Sequence, residues 1–288
     1  MTADRRPRLL ITGGAGLLGR ALLATLPPHV DCHATQHRTP VRGATAHPID
    51  LAEPAAVQQL WQTLRPNVVI HTAYRAQSAE RDLWRATLNV VAATRQIGAQ
   101  LIHLSSDMVF DGQRGPYDEA AAPHPVNDYG RYKARLESHV QAELPHAAII
   151  RTSLLTQFDP LDERSAWVAD SLRQGTPLTL FVDELRMPLS PVDLAQQLWE
   201  IVALPREAQA GIWHLVGAEL INRYALGLLI AAQQRLDPRG ITPAWAADHP
   251  APRPRVLHLL SDRTAQLRHS PRPISAVATA GGRAMPVG

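Results

Sequence analysis

A glycine-rich segment, residues 12–19, follows a short apolar run near the start of the chain and is the feature that most limits the fold. Glycines recur in it at every third position, including Gly13 and Gly16, and an apolar stretch typical of a helix comes next. In dinucleotide-binding folds, the first glycine of such a loop permits a tight strand-to-helix turn and the second lets a pyrophosphate approach. The free N–H groups of the helix N-terminus then face the phosphates. The segment therefore predicts a nucleotide-binding loop, with cofactor contacts at these two glycines and at Leu17 and Leu18.

Predicted strands and helices alternate through the first half of the chain, which indicates βαβ units and a parallel sheet. After residue 152 the pattern changes, and prolines and loops increase. We therefore predict an α/β fold: a Rossmann-type doubly wound parallel sheet with a smaller C-terminal substrate-binding lobe. Three regions are predicted: the Rossmann domain at residues 1–155, the substrate-binding lobe at 156–274 and a disordered tail at 275–288. The lobe is expected to be interleaved with the end of the sheet. The predicted strands cover residues 8–12, 30–35, 67–72, 101–105, 147–152, 178–182 and 211–217, and the predicted helices cover 17–26, 54–64, 79–97, 129–142, 192–204 and 223–235.

Composition narrows the class of protein. The chain has 288 residues, of which 45% are hydrophobic, so it has enough apolar side chains for a packed core. Its one cysteine, Cys32, cannot form an internal disulfide, which favours a reducing compartment. No apolar run approaches the roughly 18 residues of a membrane span, and none typical of a signal peptide follows the N-terminus. We therefore expect a cytoplasmic protein with no membrane partner. The net charge is +3 without a basic run that includes aromatic residues, so no nucleic-acid partner is expected, and no metal site is predicted.

The residues after the second predicted strand bear on the choice between NAD and NADP. NAD-binding proteins usually carry an Asp or Glu there, which binds the ribose hydroxyls, whereas residues 34–38 contain no acid. Arg38, with His37 beside it, is suited to pair with a 2′-phosphate, and the alternative is a solvated loop arginine. We therefore predict NADP as the cofactor, with NADPH preferred and NAD as the alternative. Further cofactor contacts are predicted at Asp50 and Leu51, beside the adenine, and at Ala73 and Tyr74, at the carboxyl end of the predicted strand over residues 67–72.

Tyr129 and Lys133 are four residues apart in a predicted helix, so their side chains share one face. A free tyrosine has a pKa of about 10 and is a poor acid–base catalyst near neutrality, but a neighbouring ammonium group favours the phenolate. Lys133 is the only lysine among 29 basic residues. Ser106 follows a predicted strand, where a hydroxyl can polarise a carbonyl, and the alternative is a turn cap. These residues predict nicotinamide-dependent carbonyl reduction, with Tyr129 and Lys133 beside the cofactor as well.

Several segments together carry a resemblance to a known family. The most specific is Ser-Asp-x-Val-Phe-Asp-Gly at residues 106–112. The others are residues 12–19, 127–133, 151–153, 183–188, 192–195, 211–215 and 253–254. With these segments the chain resembles the extended short-chain dehydrogenase/reductases, and among them it is most similar to dTDP-4-dehydrorhamnose reductases and their relatives. The resemblance extends over residues 8–274, nearly the whole chain.

The resemblance implies NADPH-dependent reduction of a keto group on a nucleotide-activated deoxysugar, and it is compatible with a homodimer. It implies that Ser106, Tyr129 and Lys133 are catalytic, and that Asn89 braces the active site. Arg186 and Arg253 are expected to neutralise the substrate diphosphate, a role that suits the arginine fork. The residues implied to bind the substrate are Ser106, Asp107, Met108, Arg151, Ser153, Arg186 and Arg253.

Met108 departs from the family pattern, because the reductases usually carry an aromatic residue there and the related dehydratases a glutamate. Met108 cannot exchange a proton, which argues against dehydratase chemistry and leaves the identity of the sugar open. Two alternatives to the reductase remain. One is a non-catalytic NADP-binding subunit, because the regulatory subunit of methionine adenosyltransferase resembles the same family. The other is a nucleotide-sugar epimerase, which would retain NAD, and Arg38 argues against it.

Overall fold

The apolar strand that precedes the glycine-rich loop lies inside a seven-stranded sheet. The computed structural model of the chain describes residues 7–73 and 83–280. The strands are β1 (Arg8–Thr12), β2 (Asp31–Gln36), β3 (Thr45–Pro48), β4 (Val68–His71), β5 (Gln100–Leu104), β6 (Ala148–Thr152), β7 (Leu178–Phe181), β8 (Leu185–Arg186), β9 (Gly211–Leu215), β10 (Ile221–Asn222) and β11 (Ile241–Ala244). The α-helices are α1 (Leu17–Ala24), α2 (Pro54–Leu64), α3 (Ala86–Ile97), α4 (Asp128–Glu143), α5 (Glu163–Arg173), α6 (Pro191–Ala203), α7 (Arg206–Gln209), α8 (Arg223–Gln233) and α9 (Ile274–Ala280).

The order of the strands confirms the predicted α/β fold. The sheet runs β3-β2-β1-β4-β5-β6-β9, and every neighbouring pair in it is parallel. The order reverses between β1 and β4, since the chain moves outward from β1 in one direction and then returns to its other side. In open α/β sheets ligands bind outside the carboxyl ends of the strands at such a reversal. The fold therefore places a binding crevice beside the glycine-rich loop.

Two layers of helices cover the sheet, and side chains from successive positions of β1 enter opposite layers. Leu9 and Ile11 pack in a core that includes residues of α1 and α6. Leu10 packs in a second core with residues of α2, α3 and α4, among them Trp61. Because both faces of the central strands are buried, their sequences are continuous apolar runs. This explains why the sequence signal was strong for β1, β4, β5 and β6.

The C-terminal half of the chain divides between the sheet and a smaller unit. β9 extends the sheet beside β6, and α6 lies in the same core as α1. A separate core joins residues of α5, α8 and α9 with β7 and β11. The strands β7 and β11 pair in parallel, and β8 and β10 pair antiparallel. The predicted division at residue 156 stays a prediction.

The expectation of an irregular tail is wrong for its first part, because α9 continues to Ala280. Its side chains Ile274 and Ala278 are buried in the core of the smaller unit, which stabilises a helix that the small residues alone do not signal. The predicted helix over residues 79–97 is observed from Ala86, after a π-helical turn at residues 83–85. No helix in the described ranges is long and apolar enough to cross a membrane.

We expect Trp61→Ala to lower the free energy of unfolding by about 3–5 kcal/mol, the usual range for a fully buried aromatic side chain. Trp61 is 0% exposed, and its indole N–H donates to Thr94 Oγ1 at 2.9 Å. The matched control is Trp167→Ala on α5, where the side chain is 54% exposed. There we expect a loss of less than about 1 kcal/mol. Urea unfolding measures both, and equal losses would contradict the assignment of Trp61 to the core.

Candidate active site

A groove of about 260 Å³ opens at the carboxyl ends of β1, β2 and β4. It contains six of the residues that the sequence assigned to the cofactor and brings together residues that are far apart in the chain. Parallel strands end at one edge of the sheet, which explains the convergence. The predicted residues that line it are Gly13, Gly16, Arg38, Asp50, Leu51 and Ala73.

The glycine-rich loop is packed too closely for side chains at three of its positions, Gly13, Gly14 and Gly19. Gly13 has a φ of +73°, and a Cβ atom there would lie 2.8 Å from the Cα of Ala73. A Cβ atom on Gly19 would lie 2.3 Å from the carbonyl oxygen of Gly13. Gly16, in contrast, is exposed and lines the groove. The loop therefore presents bare backbone and the N-terminus of α1 to the groove, an arrangement that fits a pyrophosphate.

Among the described residues, four predicted cofactor contacts do not line this groove: Leu17, Leu18, Tyr129 and Lys133. Leu18 is buried in the core against the sheet. Leu17 is half-buried at the start of α1, so both leucines are placed to contribute only their backbone N–H groups. Tyr74 lies outside the described residues.

The groove is polar at the end formed by the loop after β2. Arg38 is exposed and lines it. His37 Nε2 lies 3.8 Å from Asp50 Oδ2, and Asp50 also accepts a hydrogen bond from the backbone N–H of Ala52 at 2.9 Å. Asn89, which the resemblance assigns to bracing the active site, donates to the carbonyl oxygen of Leu51 at 2.9 Å. Asn89 therefore supports the wall of the groove.

Ser106 caps a short 3-10 helix at residues 107–109, directly after β5. Its Oγ accepts a hydrogen bond from the backbone N–H of Met108 at 3.2 Å and donates to Asp107 Oδ1 at 3.1 Å. Capping and catalysis are therefore not exclusive alternatives here, because the cap fixes the position of the hydroxyl. Asp107 is buried, and Ser153 Oγ donates to its Oδ2 at 2.6 Å.

The first turn of α4 lies against this 3-10 helix. The Asn127 side chain caps α4 and accepts a hydrogen bond from the backbone N–H of Gly130 at 2.9 Å. A Cβ atom on Gly130 would lie only 2.1 Å from the carbonyl oxygen of Met108. Glycine is therefore required for this approach, which brings the preceding residue, Tyr129, to the segment that carries Ser106.

Lys133 connects α4 to the end of β5. Its ammonium group is buried and donates to the carbonyl oxygen of Leu104 at 2.7 Å. Burial lowers the pKa of Lys133 to about 8, against the opposing effect of the Glu137 carboxylate. The structure thus gathers Ser106, Tyr129 and Lys133 at two elements in direct contact.

Arg151 does not line a substrate pocket, contrary to the expectation from the sequence. It is 1% exposed, and its guanidinium group donates to both carboxylate oxygens of Glu137, at 2.8 Å and 3.1 Å for the shortest contacts. Glu137 in turn accepts a hydrogen bond from Ser105 Oγ. A buried cation requires such a partner, so Arg151 is a structural residue that joins β6 to α4.

A buried carboxylate, Glu184, collects three arginines at the edge of the smaller unit. Arg186 is 2% exposed and also donates to backbone carbonyl oxygens, among them that of Pro254 at 2.8 Å, so it too is not the exposed ligand that the sequence suggested. Arg223 and Arg253 lie 2.8 Å and 2.6 Å from the carboxylate, and their side chains are 23% and 35% exposed. Sequence reasoning missed Arg223, because nothing in its neighbourhood marks it.

The charges in this cluster determine the state of Glu184. Burial would raise the pKa of Glu184, but the hydrogen bond from Arg253 and the charges of Arg186 and Arg223 outweigh it and bring the pKa to about 2. One carboxylate therefore faces three cations at neutral pH. The surplus positive charge lies on the two arginines that remain partly exposed.

Two buried histidines beneath the site were also missed. His71 Nδ1 lies 2.7 Å from Thr12 Oγ1, and its ring stacks on that of His103 with centroids 5.6 Å apart. Burial, reinforced by the charge of Lys133, lowers the pKa of His71 to about 3 and that of His103 well below its usual value. Both rings are therefore neutral at physiological pH. Within the described ranges, no group of three or more His, Cys, Asp or Glu side chains is suited to hold a metal ion.

The glycine loop, the groove and the Ser-Tyr-Lys set have the arrangement of an extended short-chain dehydrogenase/reductase. A family model described as the RmlD substrate binding domain matches residues 7–274, and the chain belongs to this family.

Individual relatives support the same assignment. The chain is 31% identical over 248 residues to a dTDP-4-keto-6-deoxy-D-glucose reductase of Streptomyces niveus, with 82% of each chain covered. It is 30% identical over 243 residues to methionine adenosyltransferase 2 subunit beta of Xenopus laevis, with 78% of this chain and 71% of the relative covered. A crystal structure of dTDP-4-dehydrorhamnose reductase from Bacillus anthracis in complex with NADP shares the fold, with a TM-score of 0.81, 22% identity and coverage of 96% and 98%.

We expect Arg151→Leu to lower the free energy of unfolding by about 3–5 kcal/mol, because it leaves the Glu137 carboxylate buried without its partner. The matched control is Arg131→Leu on α4. Arg131 pairs with Asp128 at 2.7 Å, but its side chain is 54% exposed, so we expect a loss below about 1 kcal/mol. Chemical denaturation measures both values. A loss for Arg151→Leu no larger than that of the control would show that the buried pair is not structural.

Proposed function

We propose that this protein reduces a keto group on a nucleotide-activated deoxysugar with NADPH as the reductant. The observation that carries the proposal is the convergence of Ser106, Tyr129 and Lys133 at the end of β5, on the same edge of the sheet as the groove of the glycine-rich loop. A hydroxyl, a phenol and a buried ammonium group at that edge are the groups that carbonyl reduction requires.

The groove fits a dinucleotide. Bare backbone at Gly13 and Gly16 and the N-terminus of α1 suit a pyrophosphate, and Arg38 suits a 2′-phosphate. Asp50 and Leu51 also line the groove, and they would flank the adenine of the bound cofactor. When bound, the reduced nicotinamide supplies the hydride.

Two residues of α4, Tyr129 and Lys133, control the proton that the substrate oxygen receives. Tyr129 gives its hydroxyl proton to the substrate oxygen, and Ser106 holds that oxygen by a hydrogen bond. Below a pH of about 8 Lys133 is charged, and its positive charge favours loss of the phenolic proton. The same ammonium group is anchored on the carbonyl oxygen of Leu104 at 2.7 Å, so its position does not depend on the substrate.

The cluster around Glu184 is suited to the phosphates of the substrate. Arg223 and Arg253 are partly exposed, and an arginine fork matches phosphate oxygens. Arg186 supports this pair from within the protein. The names of the relatives from Streptomyces niveus and Bacillus anthracis, a dTDP-4-keto-6-deoxy-D-glucose reductase and a dTDP-4-dehydrorhamnose reductase, support a 4-keto-6-deoxy sugar as the substrate class.

The second candidate function is that of a non-catalytic NADP-binding subunit. The observation that favours it is the 30% identity to methionine adenosyltransferase 2 subunit beta. A subunit of that kind would bind NADP in the same groove without turnover and would form a stoichiometric complex with a catalytic chain.

The decisive test mixes the purified protein with NADPH and a panel of 4-keto-6-deoxy sugar nucleotides and follows the absorbance of the reduced cofactor. We expect oxidation of NADPH with at least one substrate. Tyr129→Phe should reduce kcat by about 10²–10⁴-fold, the usual contribution of a positioned general acid, while NADPH binding is retained. If no substrate is consumed and a partner chain copurifies, the second candidate replaces the first, and full activity of Tyr129→Phe would reject the assigned proton donor.

We expect Arg38→Ser to raise the KM for NADPH by about tenfold to a hundredfold, because it removes a charged hydrogen bond to the 2′-phosphate. The KM for NADH should change little, since NADH has no 2′-phosphate. Arg42→Ser is the matched control, because Arg42 is also exposed but lies outside the groove. Steady-state kinetics with both cofactors measures the effect. An equal rise for NADPH and NADH would contradict the role of Arg38.

A further inference from the structure

The hydroxyl of Ser106 has one proton, and in the structure that proton is donated to the neighbouring Asp107 carboxyl group. A serine hydroxyl donates one hydrogen bond and accepts two. Ser106 Oγ donates to Asp107 Oδ1 at 3.1 Å and accepts from the backbone N–H of Met108 at 3.2 Å. While Asp107 is ionised, Ser106 therefore offers a carbonyl oxygen only a lone pair, which repels it.

The second oxygen of the same carboxyl group is fixed by another serine. Ser153 Oγ accepts a hydrogen bond from the backbone N–H of Met187 at 3.3 Å and donates to Asp107 Oδ2 at 2.6 Å. Because the hydroxyl proton of Ser153 occupies Oδ2, a proton taken up by Asp107 belongs on Oδ1, where it faces Ser106. The geometry thus selects one position for the proton.

We propose that Asp107 is a positioning residue that holds a proton on Oδ1 during reduction and thereby turns the Ser106 hydroxyl toward the substrate. With that proton, Asp107 donates to Ser106 Oγ, the Met108 N–H fills the second acceptor site, and the hydroxyl proton of Ser106 is left for the carbonyl oxygen. The inference rests on the proposed reductase function, since it explains how Ser106 donates.

The surroundings of Asp107 favour the protonated form. The side chain is 3% exposed, and burial raises its pKa against the opposing effects of Arg186 on β8, the two serines, and Arg223 on α8. The turn also contacts α4 through Gly130, and the titratable residues of α4 include Tyr129, Lys133 and the buried Glu137. Arg186 and Arg223 also pair with the Glu184 carboxylate, at 3.3 Å and 2.8 Å.

A double-mutant cycle on kcat tests the proposal with an accepted keto sugar nucleotide. Ser106→Ala should lower kcat by about 10²–10³-fold, as for the loss of one donor to a developing oxyanion. Asp107→Ala should lower kcat at least about tenfold alone but less than about threefold in the Ser106→Ala background, because it acts through that hydroxyl. Equal factors in both backgrounds would overturn the proposal.

The Asp107→Asn variant distinguishes a role of Asp107 as a hydrogen-bond donor from a role as a negative charge. Its amide can donate to Ser106 Oγ and accept from Ser153 Oγ, as the protonated carboxyl does. We expect its kcat to exceed that of Asp107→Ala by at least about tenfold, a difference of one donor hydrogen bond. An Asp107→Asn variant as slow as Asp107→Ala would overturn the proposal. The control is Asp193→Asn, at another buried aspartate, on α6, which pairs with Arg272 at 3.0 Å.

Infrared spectroscopy tests whether Asp107 carries a proton, and it requires neither turnover nor the alanine variants. The wild type at pH 7 should show the C=O stretch of a protonated carboxylic acid that is missing in Asp107→Asn and present in Asp193→Asn. An absent band would overturn the proposal. If the wild type reduces no keto sugar, the proposed function fails, and the band still decides whether Asp107 holds a proton.

Discussion

The contact between the first turn of α4 and the segment after β5 is the constraint on which the site depends. Gly130 has no side chain, so backbone approaches backbone at the carbonyl oxygen of Met108. Lys133 adds a second connection through the carbonyl oxygen of Leu104, and the bond from Ser105 to Glu137 adds a third. Burying an ammonium group costs free energy, and the carbonyl oxygen and the nearby carboxylate offset part of that cost. The spacing between proton donor and oxygen holder is therefore set by packing rather than by the substrate.

The buried carboxylates of Glu137 and Glu184 pair with four arginines, which differ in their exposure. Arg151 and Arg186 lie inside the protein against Glu137 and Glu184, where their charge is neutralised and their donors are used by the fold. Arg223 and Arg253 contact the same Glu184 carboxylate but keep a part of their side chains exposed. The buried Glu184 carboxylate thus orients two partly exposed arginines. The smaller unit gains a positive surface in a fixed position, and the buried carboxylate is not left unpaired.

The parts of the structure that depend on short-range sequence patterns could be predicted from the sequence. β1, the glycine-rich loop, α4 and the Ser-Tyr-Lys set follow from apolar runs, helical spacing and turn chemistry. Helices α5, α7 and α9 and strands β3, β8, β10 and β11 were missed. The four strands are short and their side chains are largely half-exposed, without continuous apolar runs. The positions of Arg151 and Arg186 could not be predicted, since burial of an arginine depends on a carboxylate supplied by another part of the chain. Arg223 was missed because its partner, Glu184, is also supplied by a distant part of the chain.

The hydrogen bonds around Asp107 suit both the ketone substrate and the alcohol product of a carbonyl reduction. A ketone oxygen only accepts hydrogen bonds, whereas the alcohol formed from it also donates. With a proton on Asp107, the Ser106 hydroxyl donates and suits the ketone. Without that proton, Ser106 turns its own proton to Asp107 and keeps a lone pair, which suits the alcohol. Because Ser153 and the backbone N–H of Met187 fix the other carboxyl oxygen, these two arrangements differ by one proton on Asp107 and by the direction of the Ser106 hydroxyl. The backbone need not move between substrate and product.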